Sequence, residues 1–133
     1  MNLLLDTHVW VWSQESPEEL GSGTRRALLD PENSLLVSTA STLEMARMVA
    51  LGRLSLTMDL GAWVERSIEI LQASTVPVSH EIAIEAYRLP EPFHRDPANR
   101  LLVAAARLRG ARMVTVDDLI LNYPHVQSMD ART

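Results

Sequence analysis

Short apolar runs that stop on polar residues alternate along this chain with longer segments of helical period. Asn2 to Leu5 is closed by Asp6, and Leu35-Leu36-Val37, Thr75 to Val78 and Arg112 to Val116 are runs of the same kind. Continuous aliphatic runs of that length are what strands buried on both faces of a parallel sheet look like. Between them the pattern turns helical. Thr7 to Ser13 reads as a short helix carrying Trp10 and Trp12, and Pro17-Glu18-Glu19 as a helix start. Gly21 and Gly23 interrupt, and Thr24 to Leu29 resumes. Ser38 to Leu51 is a helix closed by Gly52 as a C-cap, and Ser41-Thr42-Leu43-Glu44 matches a capping box inside it. Leu60 to Leu71 is amphipathic, with Trp63, Ile68 and Leu71 inward; a helix from Ser79 or His80 runs past Tyr87 to Pro90. Asp96-Pro97 opens an Ala-rich helix that ends near Gly110. A short turn of helix follows Asp118, and the tail from Val126 adds a last strand.

Strands that alternate with helices specify an α/β fold. We expect a three-layer α/β/α sandwich around a central parallel sheet, with right-handed crossovers, as one domain over residues 1–133. No apolar run approaches the ~20 residues of a membrane span, and no basic segment leads a long apolar one, so a cytoplasmic protein is expected.

Composition narrows the chemistry. There is no cysteine, which excludes thiolate zinc sites and cysteine nucleophiles. All 12 basic residues are arginine, so Schiff-base chemistry and a P-loop lysine are excluded too. A receiver-type signalling domain, which also carries aspartates at its strand ends, needs a lysine at that rim. The net charge of -5 argues against bulk electrostatic binding of nucleic acid, though not against local recognition by arginines.

Ligands of open α/β sheets bind outside the carboxyl ends of the strands. Four acids fall there: Asp6 after the first strand, Glu44 a turn or so into the helix after the second, Asp96 before Pro97, and Asp117 after Val116. Asp6, Asp96 and Asp117 are also well placed as ordinary helix N-caps. Gathered at one rim, however, unneutralised carboxylates repel, and a hard divalent cation such as Mg²⁺ or Mn²⁺ removes the conflict. Such a cation can activate water and stabilise phosphoryl charge. Arg95 and Arg100 flank the acids and are candidates to contact phosphate; Thr115 is placed to hydrogen-bond a carboxylate or a water. His8 reads as a packing or supporting residue, His80 and His125 as surface residues, and Trp10 and Trp12 as core or interface.

Four segments in order, Leu4-Leu5-Asp6-Thr7-His8-Val9-Trp10, Ser41-x-x-Glu44, His94-x-Asp96-Pro97-Ala98-x-Arg100-Leu101-Leu102 and Val114-Thr115-x-Asp117, resemble the PIN-domain ribonucleases, in particular the VapC toxins of bacterial toxin–antitoxin pairs. The resemblance implies a Mg²⁺- or Mn²⁺-dependent endoribonuclease in which a metal-activated water attacks the phosphodiester. It also implies a homodimer and a cognate VapB-like antitoxin that blocks the acidic pocket. Asp6, Glu44 and Asp117 match the family's acidic quartet. The family pattern Asp-Pro-x-Asp-Arg departs here at Asn99, which keeps the shape and one acceptor oxygen but lacks the charge. The metal ligands implied are Asp6, Asn99 and Asp117. Either Asn99 attenuates or abolishes cleavage, natural or introduced to make a toxic protein tolerable, or Asp96 supplies the charge. The non-enzymatic alternative is a PIN-like domain that binds antitoxin or RNA without cutting.

Overall fold

The computed structural model describes residues 1–133. Five parallel strands form one sheet in the order β3-β2-β1-β4-β5, with β1 Asn2–Leu5, β2 Ser34–Ser38, β3 Ser74–Val76, β4 Arg112–Thr115 and β5 Ser128–Asp130. β1 lies at the centre, with Leu4 opposite Leu36 on one side and Met113 on the other. The helices are α1 Thr7–Glu15, α2 Ser22–Leu29, α3 Thr39–Ala50, α4 Leu60–Leu71, α5 His80–Glu85, α6 Pro97–Leu108 and α7 Asp118–Leu121.

The triple-leucine run serves two cores at once, because neighbouring side chains on a strand point to opposite faces. Leu3 and Leu5 join Trp10, Met45, Trp63 and Val114 on the face covered by α1, α2 and α4. Leu4 joins Met113 and the buried face of α6 (Leu102, Val103, Ala105 and Ala106) under α5 and α7. The sheet is therefore sandwiched between two helical layers, as the alternating pattern predicts. No helix is long and apolar enough to cross a membrane.

Two local expectations are corrected. Pro17–Glu19 forms only a 3-10 turn, and the helix begins afresh at Ser22. The break lies at Gly21, whose backbone is extended and whose N–H donates to Ala131 O at 2.9 Å; a Cβ there would meet Thr133 backbone at 2.3 Å. Ser41 caps nothing: Ser38 is the N-cap of α3, its hydroxyl accepting from Ala40 N, and Ser41 is fully buried one turn in. At the other end of α3, Gly52 takes φ +69° and Arg53 N donates back to Met48 O, a glycine-terminated helix end.

Candidate active site

Parallel strands all end on one rim, and that rim receives the N-termini of the helices that follow them. Asp6 stands between β1 and α1; its Oδ1 accepts from Thr7 N at 2.8 Å, so it is the N-cap of α1. Asp117 stands in the corresponding place between β4 and α7, its Oδ1 accepting from Leu119 N at 2.8 Å. Asp96 caps α6 through Ala98 N at 3.2 Å. The capping role and the site role thus coincide: each acid sits where a helix dipole favours negative charge, and each helix start lies at the rim.

Hydroxyl groups join the acids. Thr115 Oγ1 donates to Asp6 Oδ2 at 2.5 Å and accepts from Asp117 N at 3.0 Å, which holds the ends of β1 and β4 in one arrangement. Thr7 Oγ1 lies 2.5 Å from Glu44 Oε1 and 2.8 Å from Ser41 Oγ, so α3 is tied to α1 at the depth of Glu44. Ser41 therefore belongs to the support of Glu44. The capping-box pattern concealed that role, since only the packing of α3 on α1 shows what Ser41 faces.

His94 completes the path. Its Nε2 lies 3.2 Å from Asp117 Oδ2, and the Asn99 side-chain amide stands 2.9 Å from the same nitrogen. Asn99 Nδ2 also donates to Asp96 Oδ2 at 3.1 Å. A continuous run of contacts leads from Ser41 through Thr7, Asp6, Thr115, Asp117, His94 and Asn99 to Asp96. The sequence motif contains His94, but its side-chain role is not readable there, because its partner lies 23 residues away.

Charge at this rim is under strain. Burial pushes the Asp6 carboxyl above the ordinary carboxylate range, against the hydrogen bonds from Thr115 and Thr7, and Asp117 adds repulsion. Glu44 is raised by burial as well, with Asp6 and Asp96 pushing the same way and Thr7 opposing. His8 is exposed at the start of α1 and offsets part of the negative field at both acids. Carboxylates that repel one another and are partly desolvated are ligands that suit a hard divalent cation. No three acidic or imidazole side chains surround a single point, because the oxygens are turned toward hydroxyl and backbone donors.

The arginines part company. Arg95 is exposed beside His94. Arg100, expected to contact phosphate, is buried: its guanidinium donates to Ala86 O at 2.8 Å, His94 O at 3.0 Å and Glu91 Oε1 at 2.8 Å. It lies 4.8 Å from the centre of the Tyr87 ring. Its donors are spent on two carbonyls and one carboxylate of the 86–94 segment, so it anchors the loop that presents His94. Sequence reading also passed over Arg47 and Arg53, which share a groove of about 620 Å³ with Glu44 and Asp96.

Comparison with known proteins bears on the family and the fold. Residues 3–125 match the PIN domain family. The chain is similar to Ribonuclease VapC22 of Mycobacterium tuberculosis, with 31% identity over 123 residues that cover 92% of each chain. In fold it is similar to VapBC2 from Rickettsia felis, solved bound to a DNA fragment from its promoter, with a TM-score of 0.67, 15% identity, and 97% and 98% of the two chains covered. FitAcB from Neisseria gonorrhoeae gives a TM-score of 0.67 at 18% identity over 97% of both chains.

Proposed function

Since the chain belongs to the PIN-domain family and to its VapC-type branch, we propose that it is the endoribonuclease toxin of a toxin–antitoxin pair, cutting RNA phosphodiesters with the help of a divalent metal, Mg²⁺ or Mn²⁺. The observation that carries this reading is the bridging of Asp6 and Asp117 by Thr115, with Glu44 raised beside them. One buried and two half-buried acids that repel one another are a costly arrangement unless a cation is their partner.

Asp6, Asp117 and Asn99 would hold the metal, with Glu44 and Asp96 adding negative charge. When bound, such a cation activates a water and neutralises charge that develops on the phosphate. The chain's own groups do the rest. Thr115 and Thr7 fix the orientations of Asp6 and Glu44, leaving little reorganisation to the reacting state. His94 stands within hydrogen-bond reach of Asp117. Arg95 is free to meet a phosphate, and Arg47 and Arg53 offer charge along the neighbouring groove. The protein acts in the cytoplasm as a homodimer, and a VapB-like antitoxin covers the rim.

One observation favours a second reading. With Asn99 the metal set is one charge short, which describes a domain that binds antitoxin or RNA and cuts slowly or not at all. Asp96 argues for retained activity: its carboxylate stands next to Asn99 and near enough to Glu44 to raise it. The test is cleavage of a mixed RNA pool by the purified chain in Mg²⁺ or Mn²⁺ against the same reaction in EDTA, beside Asp6→Ala. Metal-dependent cutting that Asp6→Ala abolishes supports the nuclease. Its absence, with antitoxin binding intact, favours the binding module.

A further inference from the structure

A second cavity, of about 600 Å³, opens on the other side of His94. The loop at 91–95 and the segment after α7 form its walls. Four rings line it, those of Phe93, His94, Tyr123 and His125. The Phe93 ring lies 4.1 Å from that of Tyr123, tilted against it by 33°, and the His125 ring lies 5.3 Å from Tyr123, edge to face at 66°. Tyr123 is buried and its hydroxyl donates to Pro90 O at 2.7 Å; His125 is exposed and Phe93 half-buried. Arg95 and Asn122, both exposed, supply polar groups at the mouth.

We propose that this cavity receives an unstacked nucleobase of single-stranded RNA, adjacent to the phosphate held at the acids. The inference rests on the nuclease reading above and adds the part of the substrate that the site selects. His94 carries the argument, because it lines this cavity and at the same time contacts Asp117. A strand with its phosphate at the rim therefore has its next base at the cavity mouth. Bases of single-stranded RNA are recognised by stacking on aromatic or imidazole faces and by hydrogen bonds to their edges; Phe93 and His125 offer the first, Asn122 the second. The charge suits a polyanion, since Arg95 is uncommitted while the carboxylate of Glu91 is paired with Arg100. The walls are held in place beforehand, by the three Arg100 hydrogen bonds on one side and the Tyr123 hydroxyl on the other. A preformed pocket selects a base with little ordering cost.

The test is NMR titration of the full chain in EDTA with the four neutral nucleosides and, as a control, methyl ribofuranoside. Saturable shifts at Phe93, Asn122 and His125, with at least one nucleoside binding about five-fold or more tightly than the sugar, are expected from base stacking. His125→Ala weakens that nucleoside about five-fold or more, and His80→Ala, an exposed histidine outside the cavity, leaves it unchanged. Equal response to every nucleoside and the bare sugar overturns the proposal. So does a response at these residues to an antitoxin peptide but to no nucleoside. The parent titration decides even where a variant fails to fold. Neither metal nor cleavage enters, so a chain that binds a nucleoside here but cuts no RNA keeps the pocket and loses only the nuclease reading.

Discussion

Thr115 and Asp6, 109 residues apart in sequence, meet through a hydrogen bond of 2.5 Å, and the same Thr115 hydroxyl accepts from Asp117 N at 3.0 Å. One side chain thereby fixes two of the acids and joins two neighbouring strands at their ends. Thr115→Val keeps the shape and β-branching but removes both bonds, leaving a buried carboxylate short of a donor and the Asp117 N–H short of an acceptor. Unfolding in urea should show a loss of about 1–3 kcal/mol at an unchanged slope, and RNA cleavage should fall with it. Thr115→Ser should restore most of both. A Thr115→Val protein as stable and active as its parent would contradict this role.

The raised carboxyls of Asp6 and Glu44 set the sign of the pH dependence. A group whose pKa is raised on folding contributes stability that is present below its unfolded value and is lost as pH rises through its folded value. In chelator, Asp6→Asn should therefore gain on the parent as pH climbs above the ordinary carboxylate range, because the amide carries no charge to desolvate. The check is the difference in Tm between the two proteins from pH 4 to pH 8 in EDTA. A difference that is flat, or that moves against Asp6→Asn as pH rises, would show that Asp6 is not strained.

Asn99 donates to Asp96 Oδ2 at 3.1 Å, so Asn99→Asp replaces a hydrogen bond by two facing carboxylates. Metal-free Asn99→Asp should melt below the parent, and Mg²⁺ should raise its Tm by more than it raises the parent's. A cation at ten times its Kd stabilises the folded state by about 1.4 kcal/mol, and Asp6→Ala should lose most of that response. Differential scanning fluorimetry across a Mg²⁺ series reads all three proteins. Equal responses would remove the metal from this rim.

Arg100 holds three partners from a buried position, so Arg100→Lys is not conservative: a lysine cannot reach Ala86 O, His94 O and Glu91 with one ammonium. Hydrogen bonds from a charged donor contribute about 1.5–3 kcal/mol each, and both Arg100→Lys and Arg100→Ala should be destabilised on at least that scale. If Arg100 contacted phosphate instead, the same variants would weaken RNA binding while leaving urea unfolding unchanged.

The sheet, its helical layers and the acids at its rim are legible in the sequence for a common reason: they are written locally. A buried parallel strand is an unbroken apolar run, as at Leu3 to Leu5, and the rim is wherever such a run stops on a polar residue, as at Asp6 and Asp117. What the sequence hides is partnership across the chain. Arg100 follows the acids closely enough to look like a phosphate contact, yet the loop at 86–94 folds over it. Ser41 has capping-box spacing to Glu44, but the helix starts three residues earlier and Ser41 turns to Thr7. The His94–Asp117 contact and the Phe93–Tyr123–His125 cluster form only once the loop before α6 lies beside Asp117 and the segment after α7. The helix expected from Pro17 fails for the same reason, since what stops it is the chain's last residues packed against Gly21.

The most direct test of the account is the single-turnover rate of RNA cleavage in saturating Mg²⁺, measured for this chain, Asn99→Asp, Asp6→Ala and Asp117→Ala in one series. The chain should cut in a metal-dependent way, Asn99→Asp at a rate about ten-fold or more higher, in line with the energy of one charge close to a bound cation, and Asp6→Ala and Asp117→Ala not above background. Cleavage that survives EDTA or the loss of Asp6, or no cleavage by either the chain or Asn99→Asp, would contradict it.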